Sequence, residues 1–249
     1  MYTRMLFLLI AIGSILSAQD STLSTLSNIH TFQTFLKDAT ITSNPYGEAG
    51  IIFSDYEFSN IFSLGIQGGY PINPRLEVGG HLAFENFSPD QGDGRSGITD
   101  ITLAGRYKLV PSIPNISGGA YLTLPVGSDT IGYGNFNFGV FGALRYPLQN
   151  GIVVTGTVGL DFVEGYNLRG NSERDVASHI AAGGIYPVNQ QLNLIGELNF
   201  RTDYNYIVLS AGGDFLLDFG GRVRGALGVG LQDGAPDLMI FASYLHTLH

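Results

Sequence analysis

Residues 192–201 read LNLIGELNFR, and apolar and polar side chains alternate along this stretch. The apolar set comprises Leu192, Leu194, Leu198 and Phe200. The polar set comprises Asn193, Glu197, Asn199 and Arg201. Because successive side chains of a β-strand point to opposite faces, this alternation predicts a strand with one apolar face and one hydrated face.

Similar segments recur from about residue 47 to the end of the chain, and they number about twelve. The connections between them alternate in length: PINPR at 71–75 and PLQNG at 147–151 are short, whereas SPDQGDGRSG at 88–97 and EGYNLRGNSER at 164–174 are longer and more polar. Bacterial outer-membrane barrels have short periplasmic turns and longer outer loops. Residues 47–249 are therefore predicted to form an all-β, transmembrane, antiparallel up-and-down β-barrel of about twelve strands.

Four tyrosines precede short turns at intervals of 37, 39 and 40 residues: Tyr70, Tyr107, Tyr146 and Tyr186. Each interval is the length of one hairpin. Rings of tyrosine are typical of the interface between hydrocarbon and water, so these residues are predicted to form a periplasmic aromatic girdle. The alternative is a soluble antiparallel barrel with recurrent turns.

The N-terminus has the composition of a secretory signal peptide. Arg4 supplies a positive charge, residues 5–15 are apolar, and Ser17 and Ala18 provide small residues for cleavage. The apolar run is shorter than the roughly 20 residues that a membrane-spanning helix needs. Residues 1–18 are therefore predicted to be a signal peptide, with the bacterial cell outer membrane as the destination.

Residues 19–46 lack the strand alternation. Leu23, Leu26, Ile29 and Phe32 recur at every third position and are followed by Phe35 and Leu36, which is a weak helical period. This segment is predicted to be either an N-terminal periplasmic leader or a plug that forms a short helix inside the barrel, and the sequence leaves the two interpretations open.

Composition limits the functions that the chain can have. The 249 residues include no Cys and carry a formal net charge of −9. The lack of Cys excludes a disulfide scaffold and Cys-ligated metal sites, and the negative charge argues against a nucleic-acid partner. No cofactor and no metal site are predicted. The expected partners are outer-membrane lipid and a small-molecule solute, and the oligomeric state stays open.

The polar faces of the predicted strands supply the candidate pore-lining residues. These are Glu77, His81, Glu85, Asp100, Arg106, Tyr121, Phe141, Arg145, Asp161, His179, Glu197, Arg201, Asp214 and Arg224. Two interpretations remain: a polar constriction that selects solutes, or cross-strand ion pairs that close the interior. Tyr121 and Phe141 would offer an apolar contact to an aromatic solute.

The final strand, residues 237–248, has the least clear pattern. Ile240 and Tyr244 share one face, but Phe241 and Leu245 make the other face nearly as apolar. The alternation therefore does not decide which face of this strand points outward.

An enzyme is the least favoured class. His81 lies between two acids, Glu77 and Glu85, on one strand face, and His179 shares a face with Asp175. A hydrolase needs such a histidine next to a nucleophile, yet the sequence has no G-x-S-x-G motif. No catalytic residue is predicted.

Four blocks, in order, resemble one family. They read GITDITLAGRYKL at 97–109, GGAYLTLPVGSD at 118–129, QLNLIGELN at 191–199 and GLQDGAPD at 230–237. The chain resembles the outer-membrane MetA-pathway of phenol degradation family over most of its length after residue 60. This resemblance implies an outer-membrane barrel that passes small, often hydrophobic, organic molecules, and it transfers no functional residue and no enzymatic activity.

The sequence thus predicts a channel or transporter for passive passage of small organic solutes, including hydrophobic or aromatic ones. The first alternative is a closed structural or surface-interaction barrel that acts through its outer loops. The second is an outer-membrane hydrolase.

Overall fold

The computed structural model describes residues 29–110, 115–132, 136–148, 151–166, 172–203 and 205–248. The predicted signal peptide, residues 1–18, lies outside the described residues, as does the part of the predicted leader before residue 29. No helix in the described ranges is long and apolar enough to span a membrane.

Strands dominate the described chain. One short 3-10 turn, Phe35–Lys37, precedes thirteen strand segments: β1 Tyr46–Tyr56, β2 Ser59–Asn73, β3 Leu76–Pro89, β4 Arg95–Ile98, β5 Ile101–Val110, β6 Asn115–Leu124, β7 Asn137–Pro147, β8 Val153–Tyr166, β9 Ser172–Pro187, β10 Leu192–Arg201, β11 Tyr206–Leu216, β12 Gly221–Gly230 and β13 Leu238–Thr247.

The strands form one closed antiparallel barrel. Consecutive strands pair around the sheet, and β1 pairs with both β2 and the last strand, β13. The closing register runs from Tyr46 opposite Thr247 to Asp55 opposite Leu238. Closure gives every strand except the short β4 two neighbouring strands, which a chain in hydrocarbon requires because no water is present to bond a free sheet edge.

The short strand β4 explains why thirteen segments make a twelve-stranded barrel. Both β4 and β5 pair with β3, so they are two parts of one barrel strand that is interrupted at Thr99 and Asp100. At the break, the Thr99 amide donates to the Ala83 carbonyl oxygen at 2.8 Å, and the Thr99 hydroxyl accepts from the Ala83 amide at 3.0 Å. The predicted barrel of about twelve strands is confirmed in the described part of the chain.

Apolar and charged side chains occupy opposite faces of the barrel wall. Large exposed apolar residues on the outer surface include Val78, Leu103, Val140, Val158, Ile180 and Leu227. The inner face buries charged residues, among them Glu77, Arg106, Arg145 and Arg224. A water-soluble protein has the reverse arrangement, whereas a barrel with lipid outside and a polar interior has this one.

An arginine substituted on the outer wall tests whether this wall faces lipid. Leu227 is 59% exposed near the middle of β12 and Leu231 is 54% exposed just beyond its end. Leu227→Arg should lower the free energy of unfolding in lipid vesicles by about 2–4 kcal/mol, and Leu231→Arg by only about 0–1 kcal/mol, because the cost of a charge falls from the bilayer midplane to its interface. Denaturant titration measures both values, and equal tolerance of the two substitutions would contradict a lipid-facing wall.

Candidate functional site in the barrel lumen

The predicted pore-lining residues lie on the strand faces opposite the exposed apolar side chains, with one exception. Asp100 lies in the break between β4 and β5, and its carboxylate accepts from the Gly127 amide at 2.8 Å. It therefore binds the loop after β6. Of the others, His81, Glu85, Tyr121 and Arg201 are partly exposed, and the remaining nine are buried.

Residues 29–45 pass between these inward-facing side chains. Ile29, His30, Thr31 and Thr40 are at most 2% exposed, although they belong to no strand. The weak helical period predicted a helix here, but only the turn Phe35–Lys37 is helical within the described part of this segment. Several backbone groups of residues 29–45 instead form hydrogen bonds with side chains of the barrel wall.

Arg224 holds the beginning of the segment. Its guanidinium donates to the carbonyl oxygens of His30 at 2.5 Å and Thr31 at 3.1 Å. The same guanidinium pairs with Glu48 at 2.5 Å and lies 3.2 Å from an Asp214 carboxylate oxygen. Two carboxylates thus fix one arginine in a position where its remaining N–H groups face the segment.

Arg106 holds the middle of the segment in a similar way. It pairs with Glu77 and donates to the carbonyl oxygens of Phe35 at 3.2 Å and Asp38 at 3.3 Å. Glu77 also accepts from the Thr42 amide at 2.8 Å. Both residues of this ion pair, Arg106 and Glu77, therefore form hydrogen bonds with the segment.

Arg145 pairs with the only acid in the segment. Its Nε donates to one Asp38 carboxylate oxygen at 2.8 Å, and its Nη2 pairs with the other oxygen. Nη2 also donates to the carbonyl oxygen of Ile29 at 2.5 Å. This two-point geometry is the strongest form of an arginine–carboxylate contact.

The Glu197 carboxylate binds backbone amides of the segment. The carboxylate accepts from the amides of Phe32 at 2.6 Å and Gln33 at 3.1 Å, and from the Thr34 hydroxyl at 3.1 Å. These donors satisfy a carboxylate that is 3% exposed. Glu197 therefore anchors the segment on β10, across the lumen from Glu77 on β3.

A further polar cluster lies on β6, β8 and β9. Asp161 accepts from the Tyr121 hydroxyl at 2.6 Å and lies 3.0 Å from His179 Nδ1. Lys37 of the segment reaches Asp161 at 3.4 Å and lies 4.4 Å above the Tyr121 ring. The sequence placed His179 beside Asp175, but its carboxylate partner is Asp161.

The inward-facing wall residues that contact residues 29–45 together form the seat of the segment. Aromatic and aliphatic contacts complete this seat. Phe32 packs edge-on against Phe241 with ring centroids 5.2 Å apart, and Leu245 joins a buried cluster with Phe35 and Tyr46. Phe241 and Leu245 made the last strand ambiguous. They face inward, and they are apolar because they pack against the apolar side chains of the segment.

His30 is the most isolated polar side chain of the seat. Its ring stacks on Tyr46 at a centroid distance of 4.4 Å, and neither ring nitrogen has a hydrogen-bond partner among the described residues. Burial lowers the His30 pKa well below its ordinary value of 6.5, and four arginines lower it further. These are Arg106, Arg224, Arg145 and Arg222. The imidazole is therefore neutral in the seated segment.

Some of the contacts of this site were not found from the sequence. Arg201 pairs with Asp203 of the following turn, and the inward-facing acid of β1, Glu48, was not among the candidates. The alternation of Glu48 with the exposed Ile51 and Phe53 was the signal for its inward position. No sequence pattern indicated that Asp38 would meet Arg145.

The four tyrosines that were predicted to form a girdle lie near the strand ends that precede the short turns. Tyr70, Tyr107 and Tyr186 are 57%, 44% and 48% exposed, and Tyr146 is half-buried. Tyr244 of β13 is also exposed, at 39%.

Comparisons with known proteins agree on the architecture. No family model matches the chain, and no curated protein matches its sequence. The fold is similar to that of the COG4313 outer membrane channel from Pseudomonas putida F1, with a TM-score of 0.70 and 17% identity over 85% of this chain and 98% of the other. It is also similar to the NanC porin (TM-score 0.57, 8% identity, 82% and 100% covered) and to the KdgM porin (TM-score 0.54, 10% identity, 81% and 99% covered). At these identities the likeness establishes the fold, which is that of outer-membrane channel and porin barrels.

Proposed function

We propose that the protein is an outer-membrane channel for small organic solutes and that residues 29–45 plug its bore until they are released. The observation that carries this proposal is the chemistry of the seat. The wall holds the segment by ion pairs and hydrogen bonds at Arg145, Arg224 and Glu197, which water can replace when the segment leaves. Apolar contacts of Phe32 and Phe35 add to these polar ones, so release of the segment also exposes apolar surface to water.

Two ion pairs of the wall connect neighbouring strands and do not span the bore, which favours a channel over a permanently closed barrel. Glu77 stands directly opposite Arg106 in the β3–β5 register, and Asp214 stands opposite Arg224 in the β11–β12 register. Both pairs join neighbouring strands and run along the wall. Tyr46 of β1 bridges to Glu77 at 2.7 Å and to Arg106 at 2.9 Å, and the segment supplies the contacts to the opposite wall at Glu197. Release of the segment therefore leaves a bore lined by charged groups.

A hydrolase receives less support. His179 bonds to Asp161 through Nδ1, and its Nε2 has no hydrogen-bond partner in the described ranges. A catalytic histidine needs a nucleophile at that nitrogen. The similar solved structures described above are channels and porins.

The remaining assignments complete the proposal. Residues 1–18 direct export, residues 29–45 form the plug, and both ends of the barrel chain face the periplasm. The candidate pore-lining residues line the bore after release, and the four girdle tyrosines lie at the periplasmic interface. Membership of the MetA-pathway of phenol degradation family, and hydrophobic or aromatic solutes with it, remains a prediction.

A cysteine lock tests whether the segment must move. Ala39 of the segment packs against Ala143 of β7 in one buried cluster, and the chain has no cysteine of its own. In the Ala39→Cys/Ala143→Cys variant, oxidation should abolish conductance in planar bilayers and reduction should restore it, because the disulfide holds the segment in the bore.

Ala39→Cys alone is the matched control and should conduct equally under both conditions. Equal conductance of the oxidised and reduced double variant, with the disulfide verified by mass spectrometry, would contradict the plug. A reduced form that never conducts would contradict the channel.

Acid should favour the released segment. The seated state holds His30 neutral, whereas a hydrated His30 titrates near 6.5. The released state therefore binds more protons at His30, so the seated state has its full advantage above pH about 6.5 and loses this advantage progressively as the pH falls below that value. Open probability in bilayers should rise as the pH falls from about 7.5 to about 5.5.

His30→Phe is the control because it keeps an aromatic ring against Tyr46 and removes the titration. Its open probability should change far less over the same range. An identical pH profile in the variant and in the original protein would exclude His30 as the cause.

A further inference from the structure

We propose that the position of Asp38 is a binding site for a small organic monocarboxylate with a compact apolar body, which takes the place of residues 38–39 and releases the segment. This inference rests on the proposed channel function and names the class of solute that opens it. Four groups carry the argument: Arg145, Ser117, Phe141 and Ala143.

The anion part of the site is Arg145. Its guanidinium holds both oxygens of the Asp38 carboxylate, and the two side chains are 1% and 2% exposed. A planar guanidinium recognises any carboxylate in this two-point manner, whether the carboxylate belongs to the chain or to a solute. A cation at the same place would meet the positive charge of Arg145 and is excluded.

The apolar part of the site adjoins the anion part. The Ala39 side chain packs against Phe141 and Ala143, which lie on the inner face of β7 together with Arg145. Phe141 is 5% exposed and offers a ring surface to whatever replaces Ala39. A solute with its carboxylate at Arg145 would therefore lay its apolar body against this ring.

A hydroxyl donor adds a third point of recognition. Ser117 Oγ donates to the Ala39 carbonyl oxygen at 2.7 Å, and Ser117 is completely buried. The dipeptide Asp38–Ala39 thus presents a carboxylate, a small apolar group and an acceptor oxygen to one patch of the wall. A solute carboxylate with an apolar ring reproduces the first two contacts.

Displacement of Asp38 weakens the rest of the seat. The Asp38 carbonyl oxygen accepts from Arg106 at 3.3 Å, and the next residue, Ala39, provides the Ser117 contact. Loss of this dipeptide from the wall therefore removes contacts to β5, β6 and β7 together. Because Asp38 is tethered and acts at a high effective concentration, a free competitor works in the millimolar range.

The test uses the full-length protein in planar bilayers, with benzoate as the probe and benzyl alcohol as an uncharged control of similar shape. Benzoate should raise the open probability about tenfold, within the usual range for coupling between a ligand and a conformational change. Benzyl alcohol should have little effect. Equal effects of the two compounds would overturn the proposal, since membrane partitioning alone would then explain them.

Two variants separate binding from folding. Asp38→Asn keeps the shape of the competitor but removes its charge, so basal opening should rise and benzoate should act at a lower concentration. Arg145→Lys keeps the positive charge but loses the two-point geometry, so the benzoate response should fall severalfold while a folded barrel still migrates as a heat-modifiable band. Arg95→Lys, in the exposed strand β4, is the matched control and should respond normally.

The outcomes distinguish this site from the channel itself. If the reduced cysteine-pair variant conducts but benzoate does not open the original protein, the carboxylate site is wrong and the channel function stands. If Arg145→Lys responds to benzoate as fully as Arg95→Lys, the site is also wrong. If no form conducts, both proposals fail.

Discussion

The structure depends on one constraint: a strand in hydrocarbon must find a partner for every backbone amide and carbonyl. The pairing of β1 with β13 meets this constraint by removing the sheet edges. Closure also divides the side chains into two populations, with apolar residues outside and charged residues inside. The inner population creates a second requirement, because buried charges must be paired or hydrated.

Residues 29–45 meet this second requirement in the seated state. Arg224 and Arg106 each use a wall carboxylate for charge balance and donate to carbonyl oxygens of the segment, whereas Glu197 accepts from its amides. The interior is therefore satisfied by a piece of polypeptide that the barrel does not need for its own hydrogen bonding. This separation between wall and segment makes a release of the segment compatible with an intact barrel.

The barrel was predictable from the sequence because a strand's faces follow from period-two alternation, which is local. The contacts inside the lumen were not predictable from the sequence, since they depend on which residues meet across the barrel. Asp38 lies 107 positions from Arg145, and no pattern near either residue indicates the other. Leu245 obscured the alternation of the last strand because its apolar side chain faces inward and packs on the segment.

The most direct test of the account is hydrogen–deuterium exchange of the protein in lipid vesicles. The amides of Phe32 and Gln33, which bond to Glu197, should exchange well before the paired amides of β10 and β11, because the segment leaves while the barrel stays closed. Exchange of both sets at one common rate would show that the segment leaves only when the barrel unfolds, and would contradict the account.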